Sequence, residues 1–223
     1  ATDFIPKPWE KEKLLATLSS GMKLRRSRTE INLLKEQVEV LSNATAGGSE
    51  EIIIGDSPVM QQVFSTVEKL RDTDANILIL GENGTGKDVI ARMLYRNSPR
   101  YGKPFVTIDL GSIPEQLFES ELFGYEKGAF TDARKAKVGR MEVATGGTLF
   151  LDEIGNLSLP MQAKLLTAIE KRCISRLGST QATPIDVRLI CATNADIRRL
   201  VDEGDFRQDL LYRINTIELH IPP

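Results

Sequence analysis

Two stretches of this sequence carry charged residues at spacings that suit the binding and cleavage of a phosphate chain. The first, Gly81–Asp88, reads GENGTGKD; it follows an apolar run and opens a helical pattern. Glycines let backbone N–H groups converge on phosphate oxygens, the N-terminus of the following helix attracts anions, and Lys87 adds a cation for the β- and γ-phosphates. A glycine-rich turn with an incidental lysine is the alternative interpretation. The motif predicts a phosphate cradle made of Gly81, Glu82, Asn83, Gly84, Thr85, Gly86, Lys87 and Asp88.

The second stretch, Gly146–Glu153, reads GGTLFLDE and is an apolar strand that ends in two carboxylates. A strand end delivers side chains to the carboxyl edge of a parallel sheet, where such sheets bind their ligands. Asp152 is then placed to hold Mg²⁺, and Glu153 to polarise an attacking water. Asp88 stands where Ser or Thr usually helps to hold Mg²⁺, so it is the second candidate metal ligand. Together the two stretches predict ATP binding, with Mg²⁺ as cofactor, and ATP hydrolysis.

The elements that must position these residues alternate between strand and helix. Helical patterns cover Val89–Arg96 and Leu159–Glu170, the second with Met161, Leu165 and Ile169 on one face. Apolar strands that alternate with helices indicate a parallel sheet covered on both sides, and therefore a three-layer α/β fold. Four buried-strand runs are predicted, at Asn76–Leu80, Pro104–Leu110, Thr148–Leu151 and Val187–Ala192.

Composition excludes several other classes. A formal net charge of −2 and a pI near 5.7 give no whole-chain signature of nucleic-acid binding. Cys173 and Cys191 match no metal or redox spacing and are expected to be reduced thiols, and a single histidine excludes an imidazole zinc cluster. No apolar run is long enough for a membrane span, and no signal peptide opens the chain. The sequence therefore predicts a cytoplasmic protein with no membrane partner.

Five motifs together resemble one protein family. GENGTGKD, ESELFG, GAFTDA, GGTLFLDE and FRQDLLYRIN occur in the order and at the spacing found in the AAA+ domain of bacterial enhancer-binding proteins, the ATPases that activate sigma-54 RNA polymerase. The resemblance runs from about Ile52 to the C-terminus. It implies a P-loop NTPase (AAA+) parallel sheet over residues 51–223, preceded by a helical linker. The small helical lid of the family is expected after Pro223 and is missing from this sequence.

The resemblance assigns a partner to the GAFTDA motif. It implies that Gly128, Ala129, Phe130, Thr131, Asp132 and Ala133 form the tip of a surface loop that moves with nucleotide state and touches sigma-54. A Gly-Ala-Phe tip between charged arms suits an exposed apolar anchor, whereas the alternative is a buried aromatic in a turn. The family usually has GAFTGA. Asp132 therefore removes a flexible position and adds a charge where the partner docks.

Further roles carry over from the family position by position. Thr193 and Asn194 resemble the sensor that detects the γ-phosphate, and Arg207 and Arg213 resemble arginine fingers that reach the ATP of a neighbouring subunit. The fingers would complete the site only between subunits, which implies a hexameric or similar ring. Asp109 stands where the family usually has an Asn that restrains the catalytic glutamate. An Asp there would repel Glu153 unless one acid is protonated or a cation lies between them.

The first fifty residues are expected to belong to other parts of a regulator. Residues 1–9 resemble the tail of a response-regulator receiver domain, in which a lysine-proline pair follows the last strand. Residues 10–50 are predicted to form a helical linker with coiled-coil character, because four apolar positions follow heptad spacing and a fifth, Leu24, extends it. The four positions are Ile31, Leu34, Val38 and Leu41. A stripe that packs on its own domain is the alternative to dimerisation.

The leading hypothesis from the sequence is an ATP-driven remodeller of sigma-54 RNA polymerase, from a two-component regulator that would bind DNA through a downstream domain absent here. The competing hypothesis is a nucleotide-binding regulatory module that controls transcription without remodelling, and Asp132 and Asp109 motivate it. An AAA+ chaperone or loader of another branch is disfavoured, because those proteins lack a GAFT tip.

Overall fold

A five-stranded parallel sheet forms the centre of the protein. The computed structural model describes residues 57–223 without a break, and between positions 15 and 38 it describes 15, 17–23, 27, 30–31, 33–35 and 37–38. The strands are β1 (Ile77–Leu80), β2 (Phe105–Asp109), β5 (Thr148–Asp152), β8 (Arg188–Thr193) and β9 (Ile217–His220), in the order β2-β5-β8-β1-β9. Every pairing between them is parallel.

Helices cover both faces of this sheet. They are α1 (Pro58–Lys69), α2 (Lys87–Arg96), α3 (Glu115–Phe123), α4 (Arg140–Val143), α5 (Leu159–Lys171), α6 (Ile197–Glu203) and α7 (Gln208–Ile214), and a 3₁₀ turn spans Ile154–Asn156. Two small antiparallel pairs lie outside the main sheet: β3 (Gly124–Tyr125) with β4 (Lys137–Val138), and β6 (Cys173–Ser175) with β7 (Ala182–Pro184).

The core is divided by the sheet into two apolar layers. Successive strand residues point to opposite faces, so Leu78 lies in one layer and its neighbours Ile77 and Ile79 lie in the other. The larger layer packs the sheet against α3, α5 and α7, and the smaller one packs it against α1 and α2. Because both of their faces are buried, strands such as β1 and β8 are mostly apolar runs. The predicted three-layer α/β fold is confirmed.

The predicted elements are present, with ends that differ by one or two residues from the sequence pattern. The helix predicted at Val89 begins at Lys87, because the left-handed backbone of Gly86 turns the chain directly into the first helical turn. The edge strand β9 was not predicted, since its four residues mix apolar and charged side chains. Residues 1–14, with the predicted receiver tail, and 39–56, with Leu41 and the predicted domain start, lie outside the described residues, as does Leu24.

The described positions of the linker segment are helical, and the helix presents two faces. Ile31, Leu34 and Val38 are exposed. Leu33 packs against the larger core layer, and Gln37 Nε2 donates to the carbonyl of Val143 at 3.2 Å. One face of this segment therefore lies on the α/β body, and the apolar stripe is on the face that does not.

Candidate nucleotide-binding site

Three adjacent strands end at the same edge of the sheet and place the predicted site residues there. The cradle Gly81–Asp88 follows β1, the carboxylates of Asp152 and Glu153 end β5, and Asn194 follows β8. Because β8 lies between β5 and β1 in the sheet, the three groups are neighbours although Asn194 lies 41 residues after Glu153 and 111 residues after Asn83. This is the edge at which parallel sheets bind their ligands.

The cradle leaves backbone donors free for an anion. Gly84 and Gly86 have φ angles of 82° and 80°, a conformation that glycine adopts without strain. Helix α2 starts at Gly86 with no side-chain cap, so the N–H groups of its first turn point toward any bound phosphate. The Lys87 side chain is 7% exposed, and its ammonium donates to the carbonyls of Gly81 and Glu82, both at 3.1 Å.

The carboxylates at the end of β5 lie in a strongly charged environment. Burial raises the pKa of Asp152, and the charges of Glu153 and Asp109 add to the rise, whereas the Glu153 N–H and Lys87 oppose it. Asp109 is the register partner of Asp152 on the neighbouring strand, and its Oδ1 accepts the N–H of Gly111 at 2.9 Å. Asp88 is exposed in the first turn of α2.

Glu153 contacts a cation and a backbone donor. Its Oε1 lies 3.6 Å from Lys87 Nζ, and its Oε2 accepts the backbone N–H of Asn194 at 3.3 Å. Lys87 is thus a cation beside Glu153. Glu153 has φ 56° and ψ 48°, a left-handed conformation that costs a non-glycine residue about 1–2 kcal/mol. Strain of this kind persists where the surrounding structure imposes it, and it marks functional positions.

The two residues of the predicted sensor have different surroundings. Asn194 is exposed, and its Nδ2 donates to Asn83 Oδ1 of the cradle at 2.8 Å. Thr193 is 1% exposed, and its hydroxyl accepts the N–H of Ala195 at 3.1 Å. The side chain that faces the cradle is therefore that of Asn194, and Thr193 stabilises the turn that presents it. Neither the motif spacing nor the sequence pattern indicated that Asn83 and Asn194 meet.

Geometry and charge at this edge fit a nucleotide triphosphate with Mg²⁺. The uncapped helix start and Lys87 suit the phosphates, and Asp152 is a carboxylate donor beside them. Among the described residues no three His, Cys, Asp or Glu side chains converge closely enough to hold a metal on their own. Magnesium that bridges phosphates uses one or two carboxylates and keeps several waters, so one or two acids suffice.

The two predicted arginine fingers lie away from the cradle of their own chain. Arg213 precedes β9 and lines a cleft with Asp74 and Asn76, at the start of β1 and therefore at the opposite end of that strand from the cradle. Arg207 is exposed, and its guanidinium makes a two-point contact with Asp209, at 3.0 and 2.7 Å. Within residues 57–223, no hydrogen bond or ion pair joins either arginine to Gly81–Asp88.

The loop that carries GAFTDA is closed by its own backbone. The Gly128 N–H donates to the Ala133 carbonyl at 2.8 Å, and the Ala133 N–H donates to the Phe130 carbonyl at 3.0 Å. Phe130 is 45% exposed and packs edge-on against Tyr125, with ring centroids 4.9 Å apart. Asp132 is exposed and has no positive φ, so this position does not require glycine. Ala133 is buried and anchors the loop.

A buried ion pair that the sequence did not reveal lies at the base of this loop. Arg176 contacts both carboxylate oxygens of Glu142, with Nη2 at 2.6 and 2.8 Å and Nε at 3.0 Å, and both side chains are less than 10% exposed. Its Nη1 also lies 3.4 Å from Oε1 of Glu126, two residues before the loop tip begins. Nothing in the spacing of these three residues signals that they meet. The pair connects α4, β6 and the loop.

Within the described residues, no helix is both long and apolar enough to cross a membrane. Both cysteines are free thiols, as expected, and burial raises the pKa of the Cys191 thiol to about 12.

Curated proteins of known name resemble this chain over its whole length. The chain is 44% identical over all 223 residues to the C4-dicarboxylate transport transcriptional regulatory protein DctD of Pseudomonas aeruginosa, and covers 47% of it. It is 41% identical to the DNA-binding transcriptional regulator NtrC of Escherichia coli K12, covering all of this chain and 45% of that protein. The chain thus spans about half the length of the curated relatives it matches.

Solved structures agree with this comparison. NtrX from Brucella abortus in complex with ATP has a TM-score of 0.72 and 30% identity, with 100% of this chain and 45% of that chain covered. The same fold is seen in the P-loop NTPase domain of a sigma-54 transport activator from E. coli, with a TM-score of 0.51 and 19% identity. That alignment covers 76% of this chain and 99% of that chain. The family model described as the sigma-54 interaction domain matches residues 53–220, and the chain belongs to that family.

Proposed function

We propose that this chain is the ATP-hydrolysing part of a sigma-54-dependent transcriptional regulator, which remodels sigma-54 RNA polymerase to activate transcription. The observation that carries this proposal is the convergence of Lys87, Glu153 and Asn194 at the ends of three adjacent strands. These groups supply a cation for the phosphates, a base for the water and an amide for the γ-phosphate. The relative NtrX was crystallised with ATP and with ADP, which supports a nucleotide as the ligand.

Each residue of the site has a distinct role in this mechanism. The cradle N–H groups and Lys87 bind the phosphates, and the amide of Asn194 binds the γ-phosphate and fixes its orientation. Asp152 and Asp88 would hold Mg²⁺, which would supply positive charge to the phosphates. Glu153 accepts a proton from the attacking water at its carboxylate once Lys87 has moved to the phosphates.

Arg207 and Arg213 act on the ATP of a neighbouring subunit in this proposal. Their position away from the cradle of the same chain suits a head-to-tail ring, in which the cradle of one subunit meets the arginines of the next. Such an arginine stabilises the charge of the transferring phosphoryl group, an effect of roughly 10³–10⁵ in rate. Arg207 must first leave Asp209, whereas no hydrogen bond holds the guanidinium of Arg213 among the described residues.

The energy of hydrolysis is directed to sigma-54 through the loop Gly128–Ala133. A half-exposed phenylalanine at its tip, Phe130, supplies an apolar anchor for a protein partner. The buried pair of Arg176 and Glu142 holds the base of the loop, so a displacement of α4 or β6 would be transmitted to the tip.

Self-association through the linker is also part of the proposal. Ile31, Leu34 and Val38 are exposed at heptad spacing while Leu33 contacts the body of the same chain. Pairing of this stripe with a second copy would give a dimer, and the arginine fingers would give a hexameric or similar ring. We assign DNA binding to a domain downstream of this segment and a phosphorylatable receiver to the upstream part, and we place the protein in the cytoplasm.

Replacing Glu153 by Gln tests the proposal in a full-length protein that includes the lid. The variant should bind ATP as tightly as the wild type, lose at least a hundredfold in hydrolysis and fail to activate sigma-54 transcription. Lys87→Ala should lose nucleotide binding itself. A nucleotide-dependent crosslink between Phe130 and sigma-54, seen with a transition-state mimic of ATP, tests the partner.

A regulatory module that binds nucleotide without remodelling is the second candidate. The exposed carboxylate of Asp132 at the tip of the loop favours it, since a charge there weakens an apolar contact. Equal activation of transcription by wild type and Glu153→Gln would establish this second function and exclude the first.

A further inference from the structure

Four polar residues around the cradle form a chain of contacts that runs from Asn83 through Asn194 and Glu153 to Lys87. Asn194 Nδ2 donates to Asn83 Oδ1 at 2.8 Å, and the Asn194 N–H donates to Glu153 Oε2 at 3.3 Å. Glu153 Oε1 lies 3.6 Å from Lys87 Nζ, and that ammonium donates to the carbonyls of Gly81 and Glu82 on either side of the loop start. The two side chains that would engage a γ-phosphate, those of Lys87 and Asn194, are therefore already engaged with protein.

Asn83 is the member of this set that has no role in the proposed chemistry. It is exposed in the cradle and precedes Gly84, whose φ of 82° turns the chain sharply. Its Oδ1 is a hydrogen-bond acceptor placed against the amide of Asn194. An oxygen of the γ-phosphate that approaches the same N–H of this amide would take the position of Asn83 Oδ1, so the two acceptors compete for one of its two N–H donors.

We propose that Asn83 is a positioning residue that takes the place of the γ-phosphate: its side-chain oxygen holds the Asn194 amide when the site is empty or contains ADP, and ATP displaces it. The inference rests on the proposed ATPase function. Through the backbone N–H of Asn194, the same contact also positions Glu153. ATP, but not ADP, then releases Asn194 from the cradle, and Asn83 sets how strongly the site discriminates between the two nucleotides.

The proposal predicts changes of opposite sign for two substitutions. Binding of ATP to the wild type breaks one hydrogen bond that binding of ADP leaves intact. Asn83→Ala removes that cost, so affinity for a non-hydrolysable ATP analogue should rise about two- to tenfold relative to affinity for ADP, the equivalent of one net hydrogen bond. Asn83→Asp keeps the acceptor oxygen and adds a negative charge that repels the γ-phosphate. The same ratio should then fall below the wild-type value.

A double-mutant cycle with Asn194 locates the effect. Dissociation constants for the ATP analogue and for ADP are measured by fluorescence with labelled nucleotides, for Asn83→Ala, Asn194→Ala and the double variant in the full-length protein. In the Asn194→Ala background the amide is gone, so Asn83→Ala should no longer change the ratio. A purely structural effect of Asn83 on the fold of the cradle would change affinity for both nucleotides and would persist in that background.

Each outcome decides between these alternatives. An unchanged ratio in Asn83→Ala, a rise in Asn83→Asp, or an equal effect with and without Asn194 overturns the role of Asn83 while leaving the ATPase intact. A wild-type protein that binds no nucleotide, or a Lys87→Ala variant that binds it as well as wild type does, overturns the proposed function and this inference with it.

Discussion

Replacing Glu142 by Gln should show how much the buried ion pair at the base of the GAFTDA loop contributes to stability. The carboxylate receives three hydrogen bonds from Arg176, at 2.6, 2.8 and 3.0 Å. Glutamine removes the charge and presents an NH₂ group to a guanidinium that can only donate. Arg176 is then left with Glu126, whose Oε1 is 3.4 Å away.

The size of the effect follows from burial. The side chains of Arg176 and Glu142 are 7% and 6% exposed. Removing one partner of a pair buried to this degree costs about 3–5 kcal/mol, because the remaining charge stays desolvated. The residual contact with Glu126 places the expected loss at the lower end, about 3 kcal/mol. For a domain of this size that corresponds to a fall in the melting temperature of about 6–12 °C.

Thermal and urea unfolding measure this loss, with Glu203→Gln as the matched control. Glu203 pairs with Arg199 one helical turn away at 2.7 Å, but the two side chains are 46% and 73% exposed, so the control should lose at most about 0.5 kcal/mol. Substituting both partners, Glu142→Leu with Arg176→Met, should recover most of the stability. If Glu142→Gln and Glu203→Gln destabilise equally, the argument from burial is refuted.

Three further predictions concern the nucleotide site, the thiols and the close backbone contacts. Because the pKa of Asp152 is raised, its carboxylate takes up a proton at a higher pH than an ordinary aspartate does. As the pH falls, Mg²⁺-dependent ATP binding should therefore weaken at a higher pH than the pKa of an ordinary aspartate would give. Titrations of ATP binding with and without Mg²⁺ measure this effect, and the Asp152→Asn variant should lose the pH dependence. Ellman's reagent at pH 8 should modify Cys173 in the folded protein and Cys191 only after unfolding, because the Cys191 thiol is fully buried and has a pKa of about 12. Rapid modification of both thiols in the folded protein would contradict the structure. Gly139→Ala should lower the free energy of unfolding, measured in urea, by about 2–3 kcal/mol, because its Cβ would lie 2.3 Å from the backbone carbonyl carbon of Phe123. Gly204→Ala places its Cβ in open space at a positive φ and should cost about 1 kcal/mol. Similar losses in the two variants would exclude the backbone clash.

The hydrophobic pattern was sufficient to predict the fold, because the pattern of each buried strand depends only on that strand's own residues. Strands such as β1 and β8 are buried on both faces, so their residues form continuous apolar runs that are visible in one dimension. The edge strand β9 has no such run, because it carries the half-buried Glu218 and the exposed His220. Strand β9 is recognised only when its pairing with β1 is known, whereas β2 at the other edge has an apolar run of its own.

The cradle and the carboxylate pair could likewise be identified from the sequence, because each is a short contiguous motif whose chemistry depends on its own spacing. What the spacing could not indicate is which groups touch. Glu153, which has a left-handed backbone, contacts Lys87 on one side and the N–H of Asn194 on the other. These partners lie 66 and 41 positions away in the chain, so no local spacing signals them.

The sequence by itself determined the succession of strands and helices along the chain and predicted the phosphate cradle and the carboxylates, because these depend on residues close together in the chain. Only the tertiary structure decided that Asn83 meets Asn194, that Arg176 is buried against Glu142, and that Arg213 lies at the far end of β1 from the cradle. These contacts join residues 34 and 111 positions apart, or depend on the strand order β5-β8-β1. Parallel pairing brings distant strand ends to one edge, and no local pattern specifies which ends become neighbours.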